Sequence, residues 1–435
     1  MRWEAQFNMR EAPSPQRPGP DGRGYKAPVY VVTLPGALSP EDALRAGPTE
    51  AVPVGQGFES TRLPISEARH APGYFYWHPE VFRLEKERMF LSDWLMVARE
   101  EEIEDPGDYL TLRILGEPII VARNAGGEIS AFYNRCAHRG TAVARESGNT
   151  RAFACPYHGW SYDLGGKLLG APHMQATTGF DAAKCRLKPI ALERWGGWCF
   201  INFSASPVSF KSFIADFESD FGFLRQEDCR LAEKLDITLE CNWKLVKENL
   251  MDAYHSPVLH RKTIGKNMSS NRYTGTRQGK GAFSAFYSGR PMTADNKSRF
   301  GIMPSLAARG AGEDFACGGH LSPNVQLFAR SDNVHPFVIW PISPTKTRVF
   351  CYQLFPKQCF NVENFAEKVK AYTEYTTEVV KEDSAMMDTL QDAAFSARFE
   401  PGYMSEKELG VYNVINLNLD RIFGRDGASK DRAAE

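Results

Sequence analysis

The chain has 435 residues, 43% hydrophobic and 24% charged, which is ordinary for a globular protein of two or three domains. Lysine plus arginine (52) nearly balances aspartate plus glutamate (53), so no strong field favours nucleic acid or an anionic membrane. No apolar run reaches the roughly 20 residues of a membrane-spanning helix, and Met1 to Pro20 lacks the apolar core of a signal peptide, so a cytoplasmic location is expected.

Residues 1–65 are rich in proline and glycine, a composition that buries little apolar surface, and are expected to be a disordered extension with no assignable role. Within it, Tyr30 to Leu34 is apolar enough to pair with a sheet edge. From Pro79 to Phe90, Val81, Leu84 and Met89 recur at helical spacing. Between Trp94 and Phe203 short β-like runs alternate with glycine, as in a small all-β domain over residues 95–207. Residues 66–94 and 208–425 read as a larger α+β domain, an antiparallel sheet covered by helices, followed by a tail over 426–435. Its predicted helices include Trp243–Tyr254, Val362–Val380 and a separate one over Asp383–Ala397.

Nine cysteines, at 136, 155, 185, 199, 229, 241, 317, 351 and 359, are an odd set without a leader, which argues against a disulfide framework. Only Cys136 and Cys155 sit among histidines, in Cys136-Ala-His138-Arg-Gly140 and Cys155-Pro-Tyr-His158-Gly159-Trp160. Thiolates retain iron in a sulfide cluster, and neutral imidazoles on one iron raise its potential. Each loop supplies one cysteine and one histidine, with Gly140 and Gly159 allowing sharp turns. A Cys₂His₂ zinc site is the bland alternative, though zinc sites usually pair cysteines on one loop and histidines on another. Trp160 and Trp243 read mainly as core packing.

This pattern, C-x-H, a 16-residue spacer and C-x-x-H within Pro-Tyr-His-Gly-Trp, resembles the Rieske family. Respiratory members carry an additional cysteine in each loop; here Thr141 and Tyr157 stand there, so the chain resembles the Rieske-type oxygenase alpha subunits. The resemblance covers roughly residues 72–420 and implies a [2Fe-2S] cluster on Cys136, His138, Cys155 and His158, together with a mononuclear ferrous iron.

For the second metal the sequence offers Asn249, Asp252, His255 and His260 around Pro257. Asp252 and His255 are three apart and would share a helix face. Pro257 would break that helix, letting His260 swing back towards His255. Two histidines and a carboxylate form the facial triad of oxygen-activating iron. Asp383 is the candidate carboxylate, with Glu382 and Asp388 as rivals and a helix N-cap as its plain structural role. The family's ligand aspartate lies at this place too, eight residues before a glutamine, as Gln391 is. The resemblance makes Asp252 a bridge from His255 to a Rieske histidine of a neighbouring subunit, which implies a cyclic trimer, α3 or α3β3. It also puts Asn249 near the iron. A solvated helix residue is the plain alternative for both.

No G-x-G-x-x-G follows a strand, so electrons are expected from a separate NAD(P)H-dependent reductase, directly or through a ferredoxin. Arg272–Pro304 and Asn324–Trp340 are expected to line the substrate pocket with Phe283, Phe286, Tyr287, Met303, Phe328 and Phe337. The favoured function is hydroxylation or dihydroxylation of an aromatic substrate with O2. Monooxygenation with loss of an N- or O-alkyl group, for example from a quaternary ammonium compound, is the alternative, and a pure electron carrier is a distant third.

Overall fold

The structure, a computed structural model, describes residues 6–10, 22–33, 54–267, 273–278 and 282–424. The chain divides into two compact units, residues 91–210 and residues 1–90 with 211–435. The tail over 426–435 and the pocket position Arg272 lie outside the described residues.

In the second of these units the chain opens with β1 (Gln6–Arg10), β2 (Val29–Thr33) and helix α1 (Pro79–Glu85). β2 runs parallel to a strand of the larger unit's nine-stranded sheet, so the apolar piece expected to pair with a sheet edge does so within an extension otherwise expected to be loose. Alternation explains it: Val32 is buried, and Tyr30 donates its hydroxyl to Glu233 at 3.2 Å.

The smaller unit holds a seven-stranded sheet built from β3 (Leu95–Arg99), β4 (Asp108–Ile114), β5 (Glu117–Arg123), β6 (Ile129–Tyr133) and β7 (Gly148–Asn149). After a three-stranded sheet of β8 (Phe153–Ala154), β9 (Ser161–Tyr162) and β10 (Leu168–Gly170), it is completed by β11 (Pro189–Trp195) and β12 (Trp198–Asn202). The seven-stranded sheet's order is β3-β12-β11-β6-β5-β4-β7. Leu115 and Gly116, both at positive φ, close the β4–β5 hairpin in the turn whose twist matches paired strands. The core beneath the loops gathers Phe132, Phe153, Trp160, Tyr162 and Leu187.

The larger unit resumes with α2 (Phe210–Phe221), β13 (Cys229–Leu239), α3 (Trp243–Met251) and the one-turn α4 (Ser256–Leu259). Then come β14 (Tyr273–Gln278), β15 (Ala282–Ser288), the short α5 (Pro304–Ala307), β16 (Phe315–Leu321), β17 (Val325–Arg330), β18 (Phe337–Ser343) and β19 (Lys346–Pro356). Helices α6 (Phe365–Phe395) and α7 (Leu409–Phe423) are the last among the described residues. The nine strands order as β1-β2-β13-β19-β18-β17-β16-β15-β14, antiparallel except where β2 meets β13. Among the described residues no helix is long and apolar enough to cross a membrane.

Two helix boundaries differ from those read in the sequence. The expected pair of C-terminal helices is one helix of 31 residues. Its buried residues Phe365, Val369, Tyr372, Thr376, Val379, Met387, Gln391 and Ala394 follow the 3.6 period without a break. Each large apolar member contributes about 1.5–3 kcal/mol when fully buried, enough to override the polar run Lys381–Ser384 that read as a boundary. Conversely, α3 stops at Met251, and Asp252 caps it in extended conformation. Asp252 and His255 therefore do not share a helix face.

Candidate metal centres

In the smaller unit, Cys136–Gly140 lies on the loop between β6 and β7, and Cys155–Trp160 on that between β8 and β9. The two loops have one backbone pattern. Cys136 N–H donates to Thr141 (2.8 Å) and Cys155 N–H to Trp160 (2.7 Å), while Gly140 and Gly159 donate back to the carbonyls of the two cysteines (2.8 and 3.1 Å). Gly140 and Gly159 have φ of 77° and 71°, conformations a side chain would strain.

Both cysteines are buried, and both histidines reach the surface with their Nδ1 atoms 3.1 Å apart. Metal–nitrogen bonds near 2.1 Å at tetrahedral angles would place two such nitrogens about 3.4 Å apart. The donor set thus fits a cluster whose buried iron takes thiolates and whose outer iron takes imidazoles. Trp160, which the sequence suggested to be core packing, is buried and also stacks on His138, with centroids 5.0 Å apart and planes 8° from parallel.

Tyr162 was not anticipated. It is fully buried, accepts a bond from Ala137 N–H (3.0 Å) and stands 3.1 Å from Cys136 Sγ. Its own proton is therefore free to go to the sulfur. Burial pushes the Cys136 thiol up while Tyr162 pulls it back down. A hydrogen bond to a ligand sulfur is one of the levers on cluster potential. No motif spacing announces it, because the contact joins β9 to a loop 26 residues earlier in the chain.

In the larger unit, the end of α3 positions the second group. Asn242 caps its start, accepting from Lys244 N–H (2.9 Å) while its own N–H donates to Gln391 (2.8 Å). Beyond Met251 the chain turns on Asp252, whose Oδ1 accepts from Tyr254 N–H (2.6 Å). His255 then caps α4, whose first turn accommodates Pro257, and His260 follows its end. Pro257 thus starts a new helix after the break rather than interrupting a continuous one.

This turn points two Nε2 atoms at one place, 3.2 Å apart. Asp383, arriving from the middle of α6, sets Oδ1 3.0 Å from His260 Nε2 and 3.5 Å from His255 Nε2. Among the described residues, these three are the only group of histidine, cysteine or acidic side chains gathered closely enough to hold a single metal ion. Asp383 Oδ1 is buried yet makes no hydrogen bond despite those neighbours, as expected of an oxygen directed at a shared ligand point. Its mid-helix position removes the N-cap alternative.

Each histidine turns Nδ1 outward to a carboxylate, His255 to Asp252 Oδ2 (2.9 Å) and His260 to Glu382 Oε2 (2.7 Å), which also accepts from Thr263 (2.6 Å). Glu382, a rival ligand in the sequence, is thus a hydrogen-bond partner of His260 and not one of the three gathered groups. Asp388 is absent from the group, and burial lifts its carboxyl to about 6. Burial pulls His255 down, but Asp252 and Asp383 outweigh it and lift the imidazole to about 9. His260 rises as well, burial again opposing Asp383 and Glu382. Burial raises Asp383, and the two histidines more than reverse this. The pocket attracts positive charge, which a divalent cation would supply with the imidazoles neutral.

A cavity of about 150 Å³ opens beside the three groups, with Asn249, Thr376 and Val379 in its wall. Of the expected aromatic lining, Tyr287, Phe328 and Phe337 take part, whereas Phe283, Phe286 and Met303 do not. Strand alternation accounts for Phe286: its neighbours Ala285 and Tyr287 face the cavity, while Phe286 packs on Phe221 and Phe223. Gln326, Arg330 and His335, polar and buried, also line the cavity; they fall within the expected stretch Asn324–Trp340, which had been read for its aromatic residues alone. The signal was present in Gln326-x-Phe328-x-Arg330, where two polar residues share a strand face with Phe328 inside a central strand.

Comparison with known proteins matches residues 93–185 to the Rieske [2Fe-2S] domain and residues 226–421 to the ring hydroxylating alpha subunit (catalytic domain). The glycine betaine monooxygenase oxygenase subunit of Pseudomonas aeruginosa is 27% identical over 388 residues, 82% of this chain and 90% of that relative. The carnitine monooxygenase oxygenase subunit of Escherichia coli K12 is 31% identical over 220 residues, 49% of this chain and 58% of the relative. Among solved structures, a quaternary ammonium Rieske monooxygenase in complex with the substrate gamma-butyrobetaine shares the fold. Its TM-score is 0.69 at 21% identity, covering 84% of this chain and 99% of that one.

Proposed function

Because this chain belongs to the Rieske non-haem iron oxygenase alpha subunits, oxidoreductases with a [2Fe-2S] cluster and a mononuclear iron, we propose that it is a monooxygenase of a small quaternary ammonium compound. The observation that carries this is the likeness to a glycine betaine monooxygenase subunit along most of both chains. Aromatic ring hydroxylation, the first expectation, and with it a place in aromatic hydrocarbon catabolism, ranks second to its alternative for that reason. The cavity wall supports the choice. Phe328 and Phe337 stand perpendicular, centroids 5.9 Å apart, and aromatic faces attract alkylammonium groups.

With cluster and iron bound, a carbon beside the nitrogen would be hydroxylated at the cost of O2, two electrons and two protons, giving water and a carbinol whose C–N bond then breaks to yield an aldehyde, a tertiary amine and a released proton. The residues have separable roles in this reading. Cys136, His138, Cys155 and His158 hold the cluster, and His255, His260 and Asp383 hold the iron. Asp252 and Glu382 keep the Nδ1 atoms of His255 and His260 protonated, so that each Nε2 lone pair faces inward. Asn249 stands in the cavity wall. Members of the family take electrons from a reductase and form multimers; the assembly proposed is a cyclic trimer in which Asp252 also reaches His158 of the partner subunit.

Anaerobic purification with iron and acid-labile sulfide counts tests the centres. Three irons and two sulfides per chain are expected, falling to two irons in His255→Ala with the cluster spectrum unchanged. Turnover with a reductase, NADH and quaternary ammonium compounds should release aldehyde in step with NADH oxidation. A dihydroxylated product carrying both atoms of labelled O2, with no aldehyde, would return the function to aromatic oxygenation.

A further inference from the structure

Arg330 ends β17 on the cavity side and is buried to 7% exposure. It is always charged, and a guanidinium out of water is costly unless paired. Among the described residues it makes no ion pair. Nearby Asp332 instead takes the hydroxyl of Tyr372. The Nη1 hydrogens of Arg330 go to Tyr287 (2.8 Å) and the Ala329 carbonyl (3.3 Å), and Nη2 lies 4.0 Å from Met292 sulfur. What remains is the Nε–H, which has no partner, and a second Nη2–H. These two point the same way and form the side-on edge that grips a carboxylate with two parallel bonds.

Two further buried groups beside it are unpartnered. Gln326, two strand positions before Phe328 and four before Arg330, lines the same cavity with neither side-chain atom hydrogen-bonded. His335 returns over this face through its N–H to the Phe328 carbonyl (2.8 Å), and its Nδ1 also lacks a partner. Burial, with Arg330 adding to it, holds the His335 imidazolium far down, so it offers a neutral ring. A cation alone would meet repulsion here.

We propose that the substrate carries a carboxylate seated on the Nε–Nη2 edge of Arg330, with Gln326 and His335 completing its hydrogen bonds. The enzyme then selects a zwitterion over a simple alkylammonium ion. This rests on the reading of the cavity as the site of a quaternary ammonium monooxygenase and names the other end of its substrate.

The test is calorimetric binding to the anaerobic, iron-loaded protein with ligand pairs that differ in the carboxylate: glycine betaine against choline, and benzoate against benzamide. Glycine betaine should bind about 10- to 100-fold more tightly than choline. Arg330→Gln should erase the difference, and Arg330→Lys should restore part of it. Glycine betaine and choline binding alike would overturn the carboxylate seat and leave the quaternary ammonium reading standing. Preference for benzoate alone would keep the seat and remove that reading. Absence of any preference, including absence of binding, overturns the proposal, and the wild-type pairs decide it even if a variant fails to fold.

Discussion

His260 illustrates how much of a histidine's behaviour lies in its neighbour. Its Nε2 faces Asp383 because Glu382, the adjacent helix residue, takes the opposite nitrogen. Consecutive residues on a helix point about 100° apart, so the pair grasps one imidazole from two sides. Glu382→Ala should therefore weaken iron retention by about 10- to 100-fold, measured by iron content after dialysis against a chelator, without changing the cluster's visible spectrum. Equal retention by the variant and the wild type would leave Glu382 with no part in the centre. The Cys/His pairs and His255 with His260 were legible because each set is contiguous and its spacing is chemically restrictive. Glu382 and Tyr162 were not: their roles depend on which atom faces which, and spacing carries no such information.

At the scale of elements, the long helix α6 does two jobs. One face brings Thr376, Val379 and Asp383 to the cavity, and an earlier turn sends Thr373 to Glu233 of β13, which Tyr30 of β2 also reaches. Burial lifts the Glu233 carboxyl from 4.5 to about 7, so the folded chain prefers it protonated. Its contribution is complete below about pH 4.5 and disappears as the pH rises through about 7. Glu233→Gln mimics the protonated form. It should remove that decline and leave the variant a few kcal/mol more stable than wild type at pH 8, read from melting temperatures across pH 5–8. Parallel curves for the two proteins would sink the assignment.

Gly410, near the start of α7, is a second element-scale constraint. A Cβ there would lie 2.6 Å from the carbonyl of Met251, the last residue of α3 before Asp252. Gly410→Ala should cost about 1–3 kcal/mol and displace the turn that carries Asp252 and His255. The checks are a lowered melting temperature and reduced iron content; an unchanged pair of values would show that the helices yield without effect. The single α6 was hidden in the sequence because Lys381-Glu-Asp-Ser imitates a helix start, and only packing on both sides keeps the helix running.

For the whole molecule, the proposed route places the cluster of one subunit against the iron of the next. Co-expression of His158→Ala with His255→Ala, each inactive alone, should then recover part of the activity in mixed assemblies. Continued inactivity, with mixed assemblies demonstrated by two affinity tags, would reject electron passage between subunits.

The sequence by itself determined the family, the two kinds of iron chemistry and the α+β architecture. Metal ligation tolerates few residue types, and strand and helix periods are local. Tertiary structure decided that Asp383 comes from the middle of a helix, that His255 and Asp252 meet across a turn, and that Arg330, Gln326 and His335 face the cavity. These are outcomes of packing between segments far apart in the chain, where burial outweighs local preference.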